Sequence, residues 1–205
     1  MLVGITGPSG AGKGAVVVAF EAHGFGIVDA DKVAREIVMP GEPALAELTA
    51  SFGGDLINSD GTLNRRMLAD RAFSSRESTD RLNRIMHGSI CRRMLERAEE
   101  FGRRGINCVF DAPLLFEAGL EKYCDCVISV IAPVGIRAQR LAKRDGLTSE
   151  QINRRMQAQH DDEYYTSRSQ YIIVNDGSLQ QLAEKSEEVV KDIIARYDSK
   201  GGLTD

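Results

Sequence analysis

The sequence predicts an α/β fold, a doubly wound parallel sheet of five strands with a helical insertion. Five short apolar, often β-branched runs carry this expectation: Leu2–Thr6, 25–28, 107–110, 127–131 and Tyr171–Val174. They lack strict polar alternation, as strands covered on both faces do. Helical patterns lie between them, so right-handed crossovers should place helices on both sides. About eighty residues separate the second and third runs, far more than one crossover needs, so they should form an inserted helical segment.

Taken in order, the first strand runs into "GPSGAGKGA" and then a helical pattern, "GAVVVAFEAHG", that stops at Gly24. Within the insertion, Leu82, Ile85, Met86, Ile90, Met94, Leu95, Ala98 and Phe101 recur at steps of mostly three and four. They mark one long amphipathic helix. A last helix is expected over 179–197, and the tail SKGGLTD should fray.

Composition narrows the function classes. The chain has 205 residues, a net charge of −4, 42% hydrophobic and 27% charged residues, as ordinary soluble domains do. The acidic balance argues against a nucleic-acid or membrane-surface binder, while leaving room for a local basic patch toward one anionic ligand. No apolar run approaches the roughly 20 residues of a membrane span, and the N-terminus does not read as a signal peptide, so a cytoplasmic protein is expected. Cys91, Cys108, Cys124 and Cys126 do not have the paired spacing of a zinc or redox site and are expected to be structural thiols.

The glycine-rich stretch carries the strongest chemistry. Gly7, Gly12 and Lys13 fit the phosphate-cradling pattern G-x-x-x-x-G-K-[ST], between a predicted strand and a predicted helix. Glycines let backbone N–H groups approach phosphate oxygens, and the helix N-terminus adds its positive dipole end. Ser9, Gly10, Ala11, Gly12, Lys13, Gly14 and Ala15 are therefore the candidate phosphate contacts. The hydroxyl that normally ligates magnesium after the lysine is missing, because Gly14 and then Ala15 stand there. "GAGKG" is similar to the adenylate-kinase version of the loop, in which the metal leans on water and phosphate oxygens.

Three further stretches are candidates. In "VDADKVAR", Asp29 and Asp31 lie two apart at a predicted strand end; in extended chain they would share a face at the ligand crevice. A carboxylate there accepts a proton from an attacking hydroxyl or holds magnesium through water. Equally, Asp31 could simply cap the following helix. In "VFDAPLLFE", Asp111 ends a strand and is either a metal-side carboxylate or a turn residue. Between Gly135 and Met156 six basic residues face two acidic ones. Arg140 and Arg144 there share a helical face, suited either to a transferring phosphoryl group or to solvent. From Asn64 to Arg104 eleven arginines stand against six acids, which suits a phosphate-bearing substrate or an ordinary exposed helix.

Together these strings resemble the dephospho-CoA kinases. The likeness covers nearly the whole chain: "GITGPSGAGKG", "VDADKVAR", "DGTLNRRMLADRAF", "LNRIMHGSI", "DAPLLFEAGL", "CDCVISV", "RAQRLAKRDGLTSEQINRRMQAQ" and "IIVNDGS". The resemblance implies a P-loop kinase-like three-layer fold. Residues 1–29 and 105–205 would form the nucleotide-binding core, with a lid at about 135–168, and 30–104 the dephospho-CoA-binding insertion. It implies phosphorylation of the ribose 3′-hydroxyl of dephospho-CoA by ATP, with Mg2+, in a monomer or weak homo-oligomer. Residue by residue, Asp31 matches the catalytic base and Lys13 the phosphate lysine. Arg140 and Arg144 match lid arginines, Arg35 and His87 substrate-side residues, and Asn175 a residue near the adenine. Asp29 joins the substrate side; Asp31 and Asp111 are expected to reach the metal through water. His87-Gly88 replaces the family's "HP", and a helix bend is expected there. A kinase for another small acceptor, such as a nucleoside monophosphate, and a non-catalytic nucleotide or CoA sensor are the competing readings.

Overall fold

The computed structural model describes the backbone over residues 1–201 and side chains over 1–197. The sheet contains β1 (Leu2–Thr6), β2 (Gly26–Asp29), β3 (Cys108–Asp111), β4 (Cys126–Ile131) and β5 (Tyr171–Val174), in the order β2-β3-β1-β4-β5. The register-paired strands run parallel, with Ile5 beside Asp111, Thr6 beside Ser129 and Ile131 beside Val174. The glycine-rich stretch leaves β1, Asp111 ends β3 and Asn175 follows β5. All three therefore lie at the carboxyl ends of strands, where open α/β sheets bind ligands.

The chain divides into two compact units: residues 1–28 with 101–205, and residues 29–100. In the first, α1 (Lys13–Ala22), α6 (Val134–Asp145), α7 (Ser149–Gln157), α8 (Asp162–Thr166) and α9 (Leu179–Gly201) accompany the strands. Val3, Ile5, Ile128 and Ile173 from the strands pack with Val16 and Phe20 of α1 and Val190 and Ile193 of α9. Phe20 meets Phe25 edge to face at 5.0 Å, fixing the turn from α1 into β2. Helix α9 runs past the Tyr197 expected from the sequence; the expectation of a frayed tail beyond residue 201 lies outside the described residues.

The second unit holds α2 (Ala30–Glu36), α3 (Pro43–Phe52), α4 (Arg65–Ala72) and most of α5 (Arg76–Arg103). Val33, Leu45, Leu48, Leu56, Leu68 and Met94 are buried. Three of the insertion's arginines tie it together: Arg93 to Glu42 at 2.7 Å, Arg97 to Glu36 at 2.5 Å, and Arg71 to both carboxylate oxygens of Asp55. These three arginines are engaged by acids within the unit, so part of the arginine surplus is structural. Helix α5 continues through Gly88 without a break. A lone glycine weakens a helix by only about 1 kcal/mol, which the packing of a helix this long outweighs.

Candidate active site

Helix α1 begins at Lys13 with Gly12 as its N-cap at φ 106°. No side-chain cap hydrogen bond is made there. The first-turn N–H groups have no carbonyl four residues back, so the helix end presents donors together with the positive end of its dipole. Gly7, at φ 136°, lies so close to the Val130 carbonyl that a Cβ would collide with it. Lys13 Nζ donates to Gly7 O at 2.9 Å, folding the lysine back along the loop. Two of the predicted contacts turn inward instead: the Ala11 N–H donates to Pro8 O at 3.2 Å and the Ala15 N–H to Gly12 O at 3.1 Å.

A polar frame grips the loop from outside. Arg140, on α6, donates through Nη1 to Gly10 O at 3.3 Å and Ala11 O at 3.4 Å. Its Nη2 donates to Asn175 Oδ1 at 3.0 Å. Asn175, 2% exposed, donates through Nδ2 to Ala11 O at 2.7 Å. Both ends of the Asn175 carboxamide are thus engaged by the protein, which makes it a support of the loop. Gln159, just after α7, accepts from the Ser9 N–H at 3.2 Å and donates to Ser9 Oγ at 2.9 Å. Ser9 therefore directs its amide and hydroxyl at a side chain that the sequence did not single out.

Arg144 lies on the same helix as Arg140 and donates to both carboxylate oxygens of Asp145, at 2.6 and 2.8 Å. Arg155 reaches that carboxylate at 3.2 Å. Hydrogen bonding from Arg144 holds the Asp145 carboxyl below its ordinary range and raises the guanidinium. The ladder α6–α7 thus keeps Arg144 charged and in a fixed posture.

In the second unit the aspartate pair is arranged differently from the sequence expectation. Asp29 is the last residue of β2, and its carboxylate accepts from the Lys32 N–H at 3.0 Å, capping α2. Asp31 falls in the first turn of α2 and is exposed. The two carboxylates therefore do not share an extended strand face, and Asp29, not Asp31, is the cap. Arg35, one turn on, is exposed, and His87 on α5 is half-buried.

The donor set is compatible with a metal that takes few protein ligands. Asp111 supplies one carboxylate beside β1, Gly14 supplies no side-chain oxygen, and the described residues contain no group of three or more His, Cys, Asp or Glu. This suits a hard cation that keeps most of its waters and leans on nucleotide phosphates, as magnesium does.

A parallel five-stranded sheet whose central strand delivers a glycine-rich loop and lysine to a helix N-terminus defines a P-loop phosphotransferase. Solved structures share this fold. The crystal structure of TT1252 from Thermus thermophilus superimposes with a TM-score of 0.77 and 31% identity, covering 100% of this chain and 98% of that one. A shikimate kinase from Bacteroides thetaiotaomicron shares the fold at a TM-score of 0.56 and 13% identity, covering 94% of this chain and 98% of that one. The family model described as dephospho-CoA kinase matches residues 1–181. A dephospho-CoA kinase of Corynebacterium glutamicum is 40% identical over 195 residues, 95% of this chain and 98% of the relative. One of Thermobifida fusca is 36% identical over 198 residues, 97% of this chain and 98% of the relative. The chain belongs to the dephospho-CoA kinase family.

Proposed function

We propose that this protein transfers the γ-phosphoryl group of ATP to the ribose 3′-hydroxyl of dephospho-CoA, giving coenzyme A and ADP. Family membership supports the acceptor, and the loop supports the donor. The carrying observation is the Gly12–Lys13 junction: a helix N-terminus with its lysine drawn back over the glycine-rich turn. Such an end neutralises a triphosphate without a side-chain hydroxyl.

On this reading the individual residues take the following roles. The amides of Gly10, Gly12 and Gly14, with Lys13, hold the β- and γ-phosphates, since those of Ala11 and Ala15 turn inward. Arg140 supports the loop from behind, and Arg144 supplies positive charge from the same helix toward the transferring group. Asp31, exposed on the first turn of α2, accepts the proton of the 3′-hydroxyl as its oxygen bonds to the γ-phosphorus and ADP departs. Arg35 and His87 serve the acceptor, so residues 30–104 form the acceptor-binding insertion, and about 135–168 form the lid. Asp111 and Asp31 would hold magnesium through water, and the ion would supply charge withdrawal from the phosphoryl group. We place the protein in the cytoplasm as a monomer or weak homo-oligomer; no helix among the described residues is long and apolar enough to cross a membrane.

A coupled assay of ADP formation tests the proposal, with dephospho-CoA, AMP and CMP compared as acceptors under magnesium and manganese. Turnover is expected with dephospho-CoA. Turnover with AMP or CMP instead would make it a nucleotide kinase. Binding of both ligands without turnover would leave a sensor.

A further inference from the structure

The amide of Gln159 and the loop residue Ser9 form a closed two-bond ring across 150 positions of sequence. The match is chemical as well as geometric. A primary carboxamide has one acceptor oxygen and a donor nitrogen, and Ser9 offers an N–H and a hydroxyl oxygen in return. Glutamate lacks the donor, and asparagine is one methylene shorter.

Gln159 differs from the loop's other supports. Lys13, Arg140 and Asn175 all donate to loop carbonyls, those of Gly7, Gly10 and Ala11. Gln159 takes a loop N–H. With the Ser9 amide turned outward to Gln159, the chain reverses at Gly10, where φ is +80°. The cradle then continues beyond Ala11, whose own N–H donates back to Pro8 O.

Gln159 is itself held in place. Its own N–H donates to Met156 O at 3.2 Å, at the end of α7. The next residue, His160, stacks on Tyr164 with ring centroids 3.7 Å apart and lies 3.4 Å from Glu117. Asp161 caps α8 by accepting from the Tyr164 N–H at 2.9 Å. The adjacent Tyr165 is 3% exposed, and its carbonyl accepts from Ser129 of β4 at 3.2 Å. A backbone anchored this way fixes the point from which the Gln159 side chain reaches Ser9.

We infer that Gln159 is a positioning residue: by clamping Ser9 it sets the outer limb of the phosphate loop in register with the arginines of α6, and so aligns the terminal phosphate for transfer. This rests on the proposed kinase function. On the proposed kinase reading the helix end would take the β-phosphate, so a clamp on the outer limb should act on the terminal phosphate and leave ADP binding unaffected.

Gln159→Ala and Gln159→Asn test it beside Ser9→Ala and the Gln159→Ala/Ser9→Ala pair. Both Gln159 variants should lower kcat about tenfold, the effect of losing two neutral hydrogen bonds and the alignment they hold. The KM for dephospho-CoA and the ADP affinity should stay within about twofold of wild type. Ser9→Ala should add nothing once Gln159 is gone, because both changes open one ring. A purely structural role would lower Tm and leave this kcat-against-KM split and the non-additivity absent. A wild-type kcat in both Gln159 variants, or independent multiplying effects in the pair, would overturn the inference. Should wild-type protein fail to phosphorylate dephospho-CoA, the proposed function falls. Calorimetry with ADP and a non-hydrolysable ATP analogue then decides the inference: a selective loss for the ATP analogue in Gln159→Ala supports it, and unchanged binding of both overturns it.

Discussion

The carboxamide of Asn175 occupies the space that a side chain at Gly12 would need. Asn175 Nδ2 donates to Ala11 O at 2.7 Å, and a Cβ on residue 12 would collide with that nitrogen. The backbone at Gly12 sits at φ +106°, which an L side chain rarely adopts. Loop shape is therefore set jointly by a residue without a side chain and a buried amide contributed after β5. Gly12→Ala should weaken ATP binding by roughly 100-fold and lower stability by about 1–3 kcal/mol. Calorimetric titration and thermal melting check this, and ATP binding at wild-type strength would show that the loop relaxes around the added methyl.

The two aspartates of "VDADKVAR" should separate cleanly by experiment. Asp29 caps α2 through the Lys32 N–H, while Asp31 is exposed on the first turn. Asp31→Asn should reduce kcat by roughly 100-fold or more with ATP affinity nearly unchanged, as loss of a general base does. Asp29→Ala should instead cost about 1 kcal/mol of stability, as loss of an N-cap does, and spare more of the turnover. Steady-state kinetics beside denaturant melts distinguish them. Equal turnover in Asp31→Asn and wild type would remove Asp31 from the mechanism.

The fold was legible because its signals are local. β-branched runs without alternation mark buried parallel strands, and β1 and β5 fall on the residues their apolar runs predict. The phosphate loop was legible because four glycines beside a lysine have few other uses. The roles of Asp29 and Asp31 were not, because they turn on where β2 ends: one residue decides which carboxylate meets the helix N-terminus. Nor was Gln159, since a neutral amide has no charge pattern and its partner is 150 residues away. The insertion's arginines stayed undecided in the sequence because composition counts charge and cannot see that Arg71, Arg93 and Arg97 meet acids within the same unit.

The thiols around the sheet should make the protein sensitive to high pH. Burial pushes Cys108 and Cys124 up from 9.0 to about 12, and Cys126 to about 11. The folded state therefore disfavours the thiolate that the unfolded chain forms freely. Stability is undiminished below pH 9 and declines as the pH climbs from there toward about 12, because unfolding then releases protons. Burial also raises Tyr165 and Tyr171 to about 12, which adds to the decline above pH 10. The urea midpoint at pH 10.5 should fall below that at pH 8, and iodoacetamide at pH 8 should leave these three thiols unmodified in folded protein. An unchanged midpoint would mean that the thiols ionise as readily folded as unfolded.

The most informative single change restores the oxygen that the phosphate loop lacks. Gly14 is the second residue of α1, exposed, and a Cβ built there meets nothing within 4 Å. Serine fits without displacing a neighbour and, as the better helix former, should raise stability by a few tenths of a kcal/mol, up to about 0.5. If the cation is now held by water and phosphate oxygens, a serine hydroxyl adds a direct protein ligand. The magnesium concentration for half-maximal turnover should then drop by roughly three- to tenfold in Gly14→Ser, with little change in kcat. Magnesium titrations of both proteins at saturating ATP read the effect. An identical requirement would mean that the hydroxyl does not reach the ion here, and that water and the nucleotide supply its coordination whether or not the serine is present.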